Sequence, residues 1–193
     1  MPPLLCAGGL DGSQYSNSWV LDKVLGWHGL LIEPGPSNFE KLRQNRPNAI
    51  AINAAVCSEI QDVHFIATPE RPDMGGIIEF MGPEFMKAAH PYFDKSDVQK
   101  VNALPRITCL PLQLIFDLFH ITRIDLLSLD VEGAEYEVIK TLNLTRTHIK
   151  YMVIEATGLN AQKDAQVKEY IMATGLYSFH GHVAHNDWFV RND

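Results

Sequence analysis

No apolar run in this 193-residue chain approaches the roughly 20 residues that a bilayer-crossing helix requires. The start, Met1-Pro2-Pro3-Leu4-Leu5, lacks the basic n-region and long apolar core of a secretory signal. With neither span nor leader, the expected compartment is the cytoplasm or an organelle lumen. Positive charge is short as well: 16 Lys and Arg against 23 Asp and Glu give a net charge of −7. Nucleic acid is gripped by clustered basic side chains that release counterions, so no nucleic-acid partner is expected. The densest basic run, Lys41 to Arg46, reads as the solvated face of a helix. The three cysteines, Cys6, Cys57 and Cys109, are odd in number and lack metal-ligand spacing. All sit in apolar company and read as buried free thiols. Asn143-Leu144-Thr145 has the spacing of a glycosylation sequon, which has meaning only in a secreted chain. Internal repeats are absent, which excludes solenoids and propellers.

What the chain does have is an alternation of short apolar runs with amphipathic segments, the pattern of a parallel sheet covered by helices. Pro3 to Ala7 reads as a buried strand running into Gly8-Gly9-Leu10-Asp11-Gly12. A helix is expected from about Ser16 to Leu25, with Trp19, Val20, Val24 and Leu25 on one side and Gly26 as its C-terminal cap. Leu30 to Ile32 is a second strand ending at Glu33. Ser37 and Glu40 have capping-box spacing, so the next helix is expected to start at Ser37. Ala49 to Val56 reads as one strand, and Val63 to Ala67 as another at an edge.

From 68 to 106 the pattern breaks into prolines, Gly75-Gly76, and the exposed-looking aromatics Phe80, Phe85, Tyr92 and Phe93. Long irregular segments inside compact domains are usually functional, so an insertion over the active site is expected, with a short helix near Pro83 to Ala89 and a surface for a protein partner. Order then returns: a helix over 111–120, a strand over 124–129, a helix over 134–142, a strand over 151–154, a helix over 161–174 and a closing antiparallel pair. The sum is one α/β domain over 1–193 with about seven strands, mostly parallel, and helices on both faces.

In open α/β sheets ligands sit beyond the carboxyl ends of the strands. A glycine turn there permits close backbone approach, and a carboxylate some twenty residues on, here Glu33, can accept from both ribose hydroxyls. A pyrophosphate favours a loop free of carboxylates, whereas Asp11 lies within this one and the G-x-G-x-x-G spacing is missing. An anion at that place suits a ligand with a sulfonium and an ammonium, which ranks S-adenosylmethionine above a nicotinamide dinucleotide.

Asp11-Gly12, Ser16-Asn17, Leu25-Gly26-Trp27-His28-Gly29-Leu30-Leu31-Ile32-Glu33-Pro34 and Ser128-Leu129-Asp130-Val131-Glu132-Gly133-Ala134-Glu135 together resemble the FkbM family of methyltransferases, over about Leu4 to Val190. The resemblance implies a Rossmann-like class I methyltransferase fold and methyl transfer from S-adenosylmethionine to a hydroxyl oxygen of a small molecule or glycan. It places Gly8, Asp11 and Gly12 in the cofactor loop, Asn17 at the methionine end, Glu33 at the ribose and Ala54 with Ala55 along the adenine. Asp130 and Glu132 match the acidic motif beneath the transferred methyl.

Two departures support an alternative, a catalytically silent module of the same fold within a larger assembly. Cys6 stands where the family has an acid, and the sequence usual before the first strand is missing.

Asp130, Glu132 and Glu155 all fall at carboxyl ends of strands and are the expected catalytic acids, one of them either kept partly protonated by burial or acting as the base that eases deprotonation of the hydroxyl. Glu132 equally suits a helix start, where the dipole favours an acid. His180, His182 and His185 read as exposed turn residues, and no metal ligands are assigned.

Overall fold

The computed structural model describes residues 3–14, 16–68 and 70–192. The chain runs β1 (Pro3–Ala7), α1 (Trp19–Lys23), β2 (His28–Ile32), α2 (Pro36–Asn45), β3 (Ile50–Ile52), β4 (Ala55–Val56) and β5 (Gln61–Ile66). A 3-10 turn at Pro72–Met74 leads to β6 (Gly76–Ile77), α3 (Pro83–Ala89), α4 (Val98–Asn102) and β7 (Arg106–Leu110). The rest is α5 (Leu112–Leu118), β8 (Arg123–Leu129), α6 (Glu135–Ile139), β9 (His148–Glu155), α7 (Ala161–Ala173), β10 (Tyr177–Val183) and β11 (Asn186–Arg191).

Seven strands form one sheet in the order β10-β11-β9-β8-β1-β2-β3. Pairing is parallel from β9 to β3, and β11 enters antiparallel between β9 and β10. This is the expected Rossmann-like α/β sheet of a class I methyltransferase. Strand residues alternate between its faces. Leu5, Ala7, Leu30, Ile32, Leu127 and Leu129 meet α5, α6 and α7 through Phe116, Val138, Ile139 and Ile171. Cys6 and Leu31 meet Leu42 of α2 on the opposite face. The chain reverses direction across the sheet at β1, which has β2 on one side and β8 on the other. Ligands bind at such a switch point.

Several expectations fail in the details. The single strand over 49–56 is two, because Asn53 and Ala54 turn the chain from β3 into β4, a strand of a second sheet ordered β4-β7-β5-β6. That sheet was not anticipated, and β5 lies inside it rather than at an edge. Its core is joined by a disulfide between Cys57 and Cys109, so these two are not free thiols. Only Cys6 is free and buried. The helix after β2 starts one residue early, at Pro36, with Gly35 as N-cap and no side-chain capping bond. Proline at the first helical position needs no N–H partner, so the Ser37–Glu40 box is unused.

The first helix shrinks to one turn and leaves Val20, Val24 and Leu25 exposed. Leu21 and Trp27 instead pack on Leu4, Leu126 and Val153. The helix is capped by Val24 rather than by Gly26, which follows two residues later in the left-handed region at φ 68°.

The 68–106 insertion is more regular than expected. It contributes β6, which pairs with β5, and its helix α3 keeps the expected bounds. Phe85 and Phe93 are not exposed but pack with Ile66, Ile78, Met81 and Met86. Only Tyr92, 96% exposed, is an open aromatic there. No helix of the described residues is long and apolar enough to cross a membrane.

Candidate active site

Beyond the carboxyl ends of β1, β2, β4 and β8 lies a cleft of about 730 Å³, open to solvent. Its floor is the turn after β1. Gly8 adopts φ 84°, and a Cβ there would fall 1.7 Å from the Asp130 carbonyl oxygen, so only glycine lets the loops after β1 and β8 touch. The N–H groups of Gly8 and Gly9 both donate to the Ile32 carbonyl, and Asp130 N–H donates to Ala7. These bonds lock three strand ends together.

At one end of the cleft stands Glu33, 4% exposed. Its carboxylate accepts the N–H of Leu10 at 2.8 Å and of Gly35 at 2.8 Å. Burial pushes its pKa up to about 7, against the pull of those two N–H groups and of Asn38. Asn53 pins the same turn by donating to the carbonyls of Glu33 and Pro34. Beside Glu33, Ile32, Ala54, Val56 and Ile77 supply apolar walls, a slot suited to a flat ring.

The other end is acidic. Asp130, Glu132 and Glu155 each place a carboxylate oxygen within 4.8 Å of the others. Asp130 and Glu155 share a hydrogen bond, and burial raises both, with Glu155 pushed to about 11 by burial and then by Asp130. Glu132 is pushed to about 9, first by burial and then by Asp130 and Glu135. Glu132 sits at φ 55°, a region that non-glycine residues enter at a cost of about 1–3 kcal/mol. The following Gly133 packs against the Phe80 carbonyl, where a Cβ would lie at 2.9 Å. Glu135 caps this turn by accepting from Val131 and Gly133. Oxygens this close repel unless a shared proton or a cation lies among them.

Of the expected site residues, Gly8, Glu33, Ala54, Ala55, Asp130 and Glu132 line the cleft. Glu155 reaches the trio from β9 and lines a neighbouring cleft that also holds Glu132. Asp11, Gly12 and Asn17 stand behind the floor. The Asp11 carboxylate accepts the N–H groups of Ser13 and Gln14. Gly12 packs on Leu42 and Arg46, and Asn17 donates to Ser128.

Sequence reasoning missed the clamp behind that loop. Arg46 is 2% exposed, paired with Asp22 and donating to Gly12 and Ser18, so it is not part of a solvated helix face. Its partners lie far away in sequence, and no local signal marks it. Asn38, Asp73 and Ile77 also line the cleft without having been foreseen. The histidines of the last hairpin are exposed as expected, with His182 hydrogen-bonded to Asp187 at 2.8 Å.

A ribose diol, a flat base and a cationic centre would each meet a matching surface here: the Glu33 carboxylate, the apolar slot and the acidic trio. The residues present therefore fit S-adenosylmethionine. The family described as Methyltransferase FkbM domain matches residues 7–183. No curated protein matches the chain. Among solved structures, a human methyltransferase 10 domain containing protein is similar at 10% identity and a TM-score of 0.44, over 98% of this chain and 70% of that one. A fibrillarin/Nop5p complex aligns at 13% identity and a TM-score of 0.43, over 99% and 73%. A METTL16 catalytic domain solved with an RNA hairpin aligns at 11% and 0.41, over 98% and 63%.

Proposed function

The chain belongs to the FkbM methyltransferase family, and from that membership we propose that it transfers the methyl group of S-adenosylmethionine to a hydroxyl oxygen of a small molecule or glycan. One observation carries the reading: a single cleft joins the paired, ribose-ready Glu33 to Asp130 and Glu132, against which Glu155 crowds from the neighbouring cleft. When bound, the cofactor supplies a methyl group on a positively charged sulfur.

The chain's own residues do the rest. Glu33 holds the ribose, Ala54 and Ala55 with Ile77 enclose the base, and the Gly8 turn brings backbone against the ligand. Asp130, Glu132 and Glu155 offset positive charge, and one of them takes the proton from the acceptor hydroxyl. Burial and crowding keep Glu132 and Glu155 protonated at neutral pH, at about 9 and about 11, until a cationic ligand favours the ionised form, and the carboxylate so formed is a stronger base than an ordinary one. Pro72, Asp73 and Gly75 to Ile77 of the insertion line the cleft, which gives that segment a covering role. The net charge of −7 argues against RNA as the acceptor.

Calorimetric titration with S-adenosylhomocysteine tests the reading. Binding below millimolar is expected, and Glu33→Ala should weaken it by about tenfold or more, the loss of a charged hydrogen-bond acceptor. No binding at millimolar ligand would overturn the proposal, and unchanged affinity in Glu33→Ala would remove the ribose assignment. Methylation of RNA in preference to small hydroxyl compounds would overturn the acceptor class. A second reading, a module that binds the cofactor without turnover, is favoured by Cys6. Its buried thiol, pushed up to about 12 by burial, is neutral and lies on the opposite sheet face with Leu31 and Leu42. Tight binding with no methyl transfer to any hydroxyl acceptor would select it.

A further inference from the structure

Two features of the chain are left unused by the methyl-transfer reading, and they point the same way. The first is the bridge in the core of the second sheet. Cys57 and Cys109 are both fully buried, among Val63, Phe65 and Ile107. Their Cα atoms lie 5.9 Å apart, inside the usual range of about 4.4–6.8 Å for a disulfide, because β4 and β7 are already paired beside them. Cysteine pairs in reducing compartments are usually metal ligands or accessible redox centres. This pair is neither. Among the described residues the group able to hold a metal ion is Asp130, Glu132 and Glu155, and neither cysteine reaches the surface. What is left is a structural bridge, which forms and persists in an oxidising compartment.

The second feature is Asn143-Leu144-Thr145, the only Asn-x-Ser/Thr sequence in the chain. It falls in the loop 140–147 between α6 and β9. Leu144, 4% exposed, is driven into the main core, and Arg191 donates to its carbonyl at 2.9 Å. With that anchor between them, Asn143 and Thr145 are both exposed. The Asn143 amide oxygen is held twice, by the Thr145 hydroxyl at 2.7 Å and by the Arg146 N–H at 3.0 Å. Among the described residues no hydrogen bond takes its Nδ2. The nitrogen that would carry a glycan is thus the free end of a side chain whose oxygen is fixed. From this loop β9 carries the chain about 23 Å to Glu155, at roughly 3.3 Å per residue, so a bulky group here stays clear of the cofactor cleft.

We propose that the protein matures in an oxidising compartment and carries an N-linked glycan on Asn143. In the step this implies, Nδ2 bonds to the anomeric carbon of a glycan carried on a lipid diphosphate. The carbon–oxygen bond to that diphosphate breaks, its electron pair leaves on the phosphate oxygen, and Nδ2 gives up one proton. A sequon acts only on a chain that enters such a compartment, and the buried bridge is the independent reason to place this chain there. The folded loop then accommodates the product without displacing a core residue.

The protein purified from its own cells tests both halves. In denaturant without reductant, alkylation should label Cys6 alone, and added reductant should bring in Cys57 and Cys109. Mass spectrometry of the tryptic peptide 141–146 should find a glycan that peptide N-glycosidase releases, converting Asn143 to an aspartate. Expressed through a eukaryotic secretory pathway, Thr145→Ala should lose the glycan completely and Thr145→Ser should keep it. Labelling of Cys57 or Cys109 without reductant, an unmodified 141–146 peptide, or a glycan that persists in Thr145→Ala would overturn the proposal. None of these outcomes touches the methyl-transfer reading, which stands or falls on S-adenosylhomocysteine binding.

Discussion

The two ends of the cofactor cleft treat a buried carboxylate in opposite ways. Glu33 is given two backbone N–H groups at 2.8 Å and an asparagine beside them, which restrain its pKa to about 7. Glu132 sits among other acids on a strained backbone, and burial first and then those acids drive it to about 9. The first arrangement is what a recognition site needs, because donors hold the acceptor ready before the ligand arrives. The second stores repulsion that only a cation or a proton relieves, which suits a place where charge changes during reaction. Recognition and chemistry are thus separated along one cleft by how many donors each acid receives.

The turn that couples the two ends is the most sensitive point. Gly8→Ala would drive a methyl group into the Asp130 carbonyl, 1.7 Å away, at a φ of 84°. A cost of about 3 kcal/mol or more is expected from the clash and the backbone together, read as a fall in urea midpoint with loss of S-adenosylhomocysteine binding. A stable, ligand-binding Gly8→Ala protein would mean that the two ends are not coupled through this contact.

Next in size is the disulfide. Cys57 follows Val56, and Cys109 pairs in register with Ala55, so the bridge anchors the apolar wall beside Glu33. Its closed loop spans 52 residues, and Cys109→Ala should cost about 3–4 kcal/mol on loop-entropy grounds, measured by chemical denaturation. The effect should fall on the recognition end. S-adenosylhomocysteine binding should weaken while the pH response of the acidic end is kept.

Glu132→Gln separates the ends from the other side. Loss of a general base costs about 100-fold in turnover, and S-adenosylhomocysteine affinity should hold because Glu33 is untouched. The same substitution has a signature in stability. The ordinary value for a glutamate is 4.5, and Glu33 and Glu132 are raised to about 7 and about 9. The folded protein therefore retains protons that the unfolded chain has already released, so stability falls as pH rises above about 4.5. The fall from Glu33 is complete near pH 7, and that from Glu132 continues to about 9. Glu155, pushed to about 11, keeps stability falling through this window in both proteins, so melting temperature plotted against pH should be less steep between 7 and 9 in Glu132→Gln than in the parent protein. A parent curve already flat in that window would show Glu132 to be ionised and paired.

The recognition end was the more legible of the two from sequence. Gly8 and Glu33 follow strands with plain apolar patterns, and their roles depend on neighbours in one β-α-β unit. The motif at Asp130 and Glu132 was visible too, because it ends a strand. What was hidden depends on contacts between distant segments. The second sheet is built from strands of two to six residues, too short for a period to declare itself. The Cys57–Cys109 bridge follows from the pairing of β4 with β7, which no spacing rule encodes. Arg46 belongs to a basic run on an amphipathic helix, and only the fold brings Asp22 to it.

Asp11 should give the smallest effect and tests the division most finely. Its place in the glycine loop suggested a carboxylate facing a cationic ligand, yet it accepts Ser13 and Gln14 N–H groups at 2.8 and 2.7 Å. Such a side chain closes a turn, as an N-cap residue does, and its removal costs about 0.5–2 kcal/mol. The rest of the loop is held independently. The Asp11 carbonyl accepts from Asn45, and Gly12 is clamped by Arg46. Asp11→Asn keeps the turn's acceptor and should leave both melting temperature and S-adenosylhomocysteine affinity near the parent values. Asp11→Ala should lower the melting temperature slightly and weaken binding by no more than about threefold, since a cost under 1 kcal/mol reaches the ligand only through loop order. If Asp11→Asn instead lost binding as severely as Glu33→Ala, the charge itself would be required. The loop would then have to turn over on binding, and the recognition end would not be preformed.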